Sequence, residues 1–171
     1  MNAAAHAGFH LNPPASRTNT SPASAVGQRL SELLLEFAAH ARNNASDWRS
    51  FTNALIEDVA RQHSTPGWDG YGARPIDSRA KAEAQRFVQL LPFGLQPPVP
   101  APDPEGDMAL SWDLGSDHVL TVSINANGTV TYAGLLGGGV KRYGMEQLGD
   151  DIPQVILQTL EDLYQRATVV R

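Results

Sequence analysis

The chain contains no cysteine among its 171 residues. That absence removes disulfides, thiolate nucleophiles, cysteine zinc sites and iron–sulfur ligation together. Long apolar runs are missing too: no window approaches the ~18 consecutive apolar residues of a membrane helix. The start, Met1–Asn12, has neither the basic opening nor the apolar core of a secretory signal. A cytoplasmic location away from membranes is therefore expected. Positive charge is scarce, with 13 Lys and Arg against 18 Asp and Glu, and it is scarcest late in the chain. Residues 101–171 carry 4 basic and 10 acidic side chains, whereas residues 1–100 carry 9 and 8. Each phosphate contact needs compensating positive charge, so direct nucleic-acid binding is not expected of the acidic half. That half suits either solubility or docking on a basic protein.

Hydrophobic residues make up 42% of the chain, enough for a real core. Met1–Ala23 holds Pro13-Pro14 and many Ser, Thr and Asn without periodicity, which reads as a disordered tail. Two helical patterns follow over residues 24–63. Val26, Leu30, Leu33, Leu34, Phe37 and Ala41 form one apolar stripe. After a break at Asn43-Asn44, with Ser46 as N-cap, Trp48, Phe51, Leu55 and Val59 fall on one side, with Ile56 beside them. Together these predict a helical hairpin. A third helix, capped by Asp77 or Ser78 and stopped by Pro92, buries Ala80, Ala84, Phe87, Val88 and Leu91. Pro92–Pro104 has six prolines in thirteen residues, which forbids helix and predicts a stiff extended connector. The period then changes from 3.6 to 2. Met108, Leu110 and Trp112 alternate with smaller or polar residues, as do Leu120, Val122 and Ile124. Asn127-Gly128 marks a turn before a further strand from Thr129 to Leu135. Asp151 and Pro153 open a last helix carrying Ile156, Leu157, Leu160, Leu163 and Tyr164.

The expected fold class is therefore α+β: an N-terminal helical hairpin, then a helix, a three-stranded antiparallel meander and a C-terminal helix packed on one sheet face. The domain reading is a disordered tail over 1–23, the hairpin over 24–63, and an α+β domain over 64–171 that includes the Pro-rich connector 92–104.

Several chemical motifs come close and fail. Gly137-Gly138-Gly139 before Lys141 lacks the glycine spacing and the Lys-Ser/Thr pair of a phosphate-binding loop. Asp103, Glu105 and Asp107 alternate as calcium ligands do, but Gly106 stands fourth and Leu114 twelfth where a glycine at six and an acid at twelve are required. Ser78 and Lys81 share the Ser-x-x-Lys spacing of penicillin-binding enzymes, with Ser116-Asp117-His118 loosely like a second element, but no Lys-Thr-Gly follows. Glu36 and His40 sit one helical turn apart with no matching pair on a neighbouring helix. No metal and no cofactor is expected.

What remains is the run Gly67-Trp68-Asp69-Gly70-Tyr71-Gly72-Ala73. Three glycines in six residues open backbone conformations closed to other residues. Trp68 and Tyr71 have the large apolar bodies and polar tips enriched at binding hot spots. Asp69 is placed to bond to local N–H groups and lock the turn. Trp68, Asp69, Tyr71 and Arg74 are thus the candidate binding residues, and no residue is assigned as catalytic.

Gly67–Ile76, the helix ending Leu90-Leu91-Pro92, the Pro-rich segment, a strand with Trp112 and the strand pair around Gly128 occur in that order. The arrangement resembles a family of small uncharacterised bacterial proteins with a Trp-Asp-Gly-x-Gly-Ala-x-Pro signature. The resemblance covers about residues 66–160 and implies no activity. The functional expectation is a protein-binding module, antitoxin-like or inhibitor-like, whose acidic half docks on a basic, nucleic-acid-handling partner. The alternative is a small metal-dependent hydrolase or nuclease using Asp69 with Asp107, Asp113 or Asp117. A homodimer paired through the N-terminal hairpin is a third.

Overall fold

The structure, a computed structural model, describes residues 48–115 and 117–169. The tail and the first helix of the expected hairpin lie outside the described residues. The elements run α1 (Trp48–Gln62), α2 (Ser78–Leu90), β1 (Val99–Pro102), β2 (Met108–Asp113), β3 (His118–Ile124), β4 (Thr129–Leu136), β5 (Lys141–Gln147) and α3 (Gln154–Val169). The five strands form one antiparallel sheet in sequence order, β1-β2-β3-β4-β5. Among the described residues no helix is long and apolar enough to cross a membrane.

The α+β class stands, but the expected three-stranded meander and N-terminal hairpin are corrected. The sheet has five strands because two lie where the period-2 signal is absent. Val99–Pro102 belongs to the proline-rich stretch, yet its residues pair with Ser111 through Met108. Pro100 and Pro102 lack an N–H, a defect that an edge strand accommodates. Lys141–Gln147 alternates exposed and half-buried residues without one fully buried side chain, so it carries no apolar face to read. As for the hairpin, its second helix is α1, which packs against α2 and β1. Its buried stripe is Trp48, Thr52 and Ile56, whereas Phe51, Leu55 and Val59 are half-buried. The contact with α2 and β1 selects the i, i+4, i+8 row rather than the most apolar one.

The core lies between the helices and one sheet face. On that face Met108, Leu110 and Trp112 stand opposite Ile124, Val122 and Leu120, which in turn oppose Val130, Tyr132 and Gly134. Helix α2 contributes Ala80, Ala84, Phe87 and Val88 and packs on β2 and β3. Helix α3 contributes Ile156, Leu160 and Leu163 and packs on β3 and β4. The other sheet face has no helix among the described residues, and it holds Ser111, Thr121, Ser123, Thr131, Ala133, Leu135, Tyr143 and Met145 in alternation with the core set. Period 2 thus sorts one face under the described helices and turns the other away from them.

Two indole and phenol tips pin the proline-rich stretch. Trp112 Nε1 donates to the Gln96 carbonyl at 2.9 Å, and Tyr164 Oη reaches the same oxygen at 3.5 Å. Burial pushes the Tyr164 hydroxyl up to about 12, so it stays a neutral donor at ordinary pH. The β3–β4 turn is held by Asn125 Oδ1, which accepts from Asn127 N and Thr129 N at 2.9 Å each.

Candidate functional site

Between α1 and α2 the chain makes a closed loop. Gly67 N donates to Ala73 O at 2.7 Å and Gly70 N to Gly67 O at 2.9 Å. Gly67, Gly70 and Gly72 take φ of 70°, 80° and 99°, a left-handed series that side chains with a Cβ resist. Asp69 Oδ1 accepts from Tyr71 N at 2.8 Å and from Ala73 N at 3.0 Å. The Ala73 and Tyr71 N–H groups, in that order, hold its carboxyl below the usual carboxylate range. Trp68 Nε1 donates to Arg74 O at 2.8 Å, and His63 meets the indole edge-on with centroids 4.6 Å apart. Ile76 N closes the base on His63 O at 3.0 Å.

The four candidate residues therefore divide. Asp69 and the half-buried Trp68 lock the loop. Tyr71 is 95% exposed on it, a large amphipathic side chain held up by a rigid backbone. Arg74 is exposed and pairs with Glu105 at 3.4 Å, a contact that adds little stability at such exposure.

The lock on Asp69 has a pH dependence of definite sign. A carboxyl with a depressed folded pKa contributes above its ordinary value and loses that contribution as pH falls through the folded one. Amide exchange at Tyr71 and Ala73 should accelerate in Asp69→Ala at neutral pH, and in the unmodified protein only below the usual carboxylate range. Unchanged exchange at both amides in the variant would remove the lock from the account.

The loop is strapped to the sheet by the segment that precedes β2. Arg74 N donates to Pro104 O and Asp77 N to Gly106 O, both at 2.8 Å. Asp103 organises that segment: its Oδ1 accepts from Glu105 N and its Oδ2 from Ser123 Oγ, both at 3.0 Å. The strap and the Arg74–Asp77 segment that follows the loop line a groove of about 550 Å³, with Glu105, Asp107 and the Asn125–Asn127 turn. Burial pushes the Asp107 carboxyl up, and Asp103, Glu105 and Asp77 push it further, against a smaller pull from Arg74. The field in this groove is negative. Asp77, Asp103 and Glu105 were not singled out as site residues by sequence. Asp77 reads as a helix cap, which it is, with Oδ1 accepting from Arg79 N at 2.7 Å. The available signal is the alternation of acids at 103, 105 and 107, whose spacing does not match a calcium loop.

The carboxylates of the metal-dependent alternative do not converge. Asp107 precedes β2 and Asp113 ends it, so six strand residues, roughly 20 Å, separate them. Asp113 Oδ1 accepts from Gly115 N at 3.1 Å within its own turn. Among the described residues no group of three or more His, Asp or Glu side chains is placed to hold a metal ion.

A second polar cluster lies at that far end. His118 is 5% exposed, and its Nδ1 is 2.8 Å from Asp117 Oδ1. Its Nε2 is buried and unpartnered. The covering group is Gly137, whose Cβ, were there one, would stand 2.3 Å from Nε2. His118 itself lines the adjoining groove of about 420 Å³, together with Gly137, Gly138, Asp162, Gln165 and Arg166. The Asp117–His118 pair has the arrangement of an imidazole oriented by a carboxylate.

Comparisons with protein-family models, with curated proteins and with solved structures return no match for this chain.

Proposed function

We propose that the protein is a protein-binding module whose contact surface is the loop Gly67–Ala73 together with the acidic groove that begins at the adjoining Arg74. One observation carries the reading: a hydrogen-bond-locked loop presents a tyrosine 95% exposed and is strapped directly to a groove of carboxylates. Rigid aromatic anchors give affinity at low entropic cost, and a one-signed field steers an oppositely charged partner. The partner is a protein with a basic groove, such as one that handles nucleic acid, and the module acts on it as an antitoxin or inhibitor does, in the cytoplasm. Asp107 favours the same occupant. Its charge is disfavoured by burial and by Asp103, Glu105 and Asp77, and a cationic side chain entering the groove relieves both effects.

The test is affinity capture from the native host with the full chain and with Tyr71→Ala. A specific protein should be recovered by the former, and its affinity should fall by about 30-fold, or ~2 kcal/mol, with the latter. Binding should also weaken as salt is raised from 50 to 500 mM. A partner that binds both versions equally, or that is acidic and insensitive to salt, sinks the proposal.

A further inference from the structure

Strand β5 is the free edge of the sheet opposite β1. Among the described residues its outer side makes no backbone hydrogen bond to another element. An edge of this kind is a template for another strand, and proteins usually blunt it with a bulge, a proline or clustered like charge. Lys141-Arg142-Tyr143-Gly144-Met145-Glu146-Gln147 has no proline, an unbroken register with β4, and charges of opposite sign at its two ends. Its most apolar side chains are not hidden: Tyr143 is 81% exposed and Met145 67%, both on the sheet face without helices.

The order of these residues is self-complementary. Laid antiparallel on its own copy about Gly144, the strand sets Arg142 opposite Glu146, Tyr143 opposite Met145, and Lys141 opposite Gln147. Each contact occurs twice. Opposite charges and aromatic–sulfur contacts stabilise cross-strand pairs. This register also keeps the helix-covered faces of both copies on one side. A slip by two residues loses the ion pairs and places Tyr143 against Tyr143 or Met145 against Met145. A parallel in-register pairing stacks like charges, which repel.

Gly144 suits the axis of such a pair. On the helix-covered face its missing side chain is replaced by the ring of Tyr132, whose Oη lies 2.7 Å from the position a Cβ would take. The centre of β5 is therefore flat on one face and apolar on the other. Glu146 makes no ion pair within the described chain, whereas Arg142 is held at 2.5 Å by Asp162 of α3 and so is fixed in place at the edge.

We infer that β5 is a homodimerisation strand: two copies pair antiparallel about Gly144 and extend the sheets into one ten-stranded sheet. This surface meets the groove only where Gln147 Nε2 donates to the Asn127 carbonyl at 2.8 Å, and residues 142–146 do not line the groove, so failure of the pairing would leave the proposed partner site standing. A single strand pair buries less than the standard interface, so the association is weak and shows at tens to hundreds of micromolar.

Sedimentation equilibrium of the full chain over that range tests it. The mass should rise with concentration from 18.4 kDa toward twice that value. Glu146→Lys puts like charges opposite each other at both ion pairs and should weaken association by about 10-fold or more. Arg142→Glu should do the same, and mixing the two variants should restore association, because every facing pair then carries opposite charges again. Met145→Lys, exposed and clear of α3, provides a variant whose circular dichroism and melting should match the parent. A mass fixed at the monomer value throughout, a dimer indifferent to Glu146→Lys and Met145→Lys, or a mixture that stays monomeric would each overturn the inference.

Discussion

Trp112→Ala should destabilise the fold by about 3–5 kcal/mol, the cost of a large cavity in a packed interior. Trp112 is 2% exposed, stands across from Leu120 and lies on the sheet face that α2 and α3 cover. Its loss also frees the Gln96 carbonyl from its better donor, leaving Tyr164 at 3.5 Å. The proline-rich stretch runs from Gln96 directly into β1, so the edge strand should fray along with the core. Trp112→Phe keeps most of the apolar contact but loses the hydrogen bond, and should cost about 1–3 kcal/mol. Denaturant melts of the three proteins decide the matter. A Trp112→Ala cost under ~1 kcal/mol would mean that the indole is not a keystone of this core.

Gly106→Ala is the second large effect, and it links stability to the proposed surface. Gly106 has φ of +91°, and a Cβ there would stand 2.8 Å from the Pro75 carbonyl oxygen and 3.4 Å from Arg74 Cβ. The neighbour is backbone and cannot swing aside. Left-handed strain and this overlap together should cost about 2–4 kcal/mol. The segment must move to accept the methyl group, which breaks the bond from Asp77 N to Gly106 O and loosens the bond from Arg74 N to Pro104 O. Partner binding should fall with it even though the variant changes neither charge nor exposed aromatic surface. The readout is the melting temperature together with affinity for the captured partner. A folded variant of parental stability that binds normally would show that the strap does not position the surface.

Much of this architecture was legible in the sequence. In α2 the apolar spacing picked out Ala80, Ala84, Phe87, Val88 and Leu91, and all five are buried. In β2 and β3 alternation sorted Leu110, Trp112, Leu120 and Val122 to one face because, among the described residues, that face is covered by helices and the other is not. The failures share a cause. Periodicity reports burial, and β5 is a strand held by backbone pairing to β4 with no side chain fully buried, so its sequence has no reason to alternate. In β1, Pro100 and Pro102 argue against a strand unless it is known to lie at an edge, which only the assembled sheet reveals. In α1, Thr52 is 1% exposed while the half-buried Phe51 looks the better core residue, because the direction of neighbouring elements decides which row is covered.

The site was legible in its parts and not in its assembly. The glycine spacing and Asp69 announced a locked turn, and Tyr71 an anchor. That the turn would be tied to Pro104 and Gly106, some thirty residues further on, follows from tertiary hydrogen bonds between backbone groups, which no side-chain pattern encodes. Glu105 and Asp107 gain their meaning only from that tie, since it sets them beside Asp77 and Arg74 in one groove.

The most direct measurement of the central claim is amide hydrogen exchange of the full chain, free and in complex with the partner it captures. The account predicts slowed exchange over residues 67–77 and 103–107 on binding, with the helices α2 and α3 unchanged. Protection confined to other segments, with Tyr71 and its neighbours exchanging as in the free protein, would contradict it.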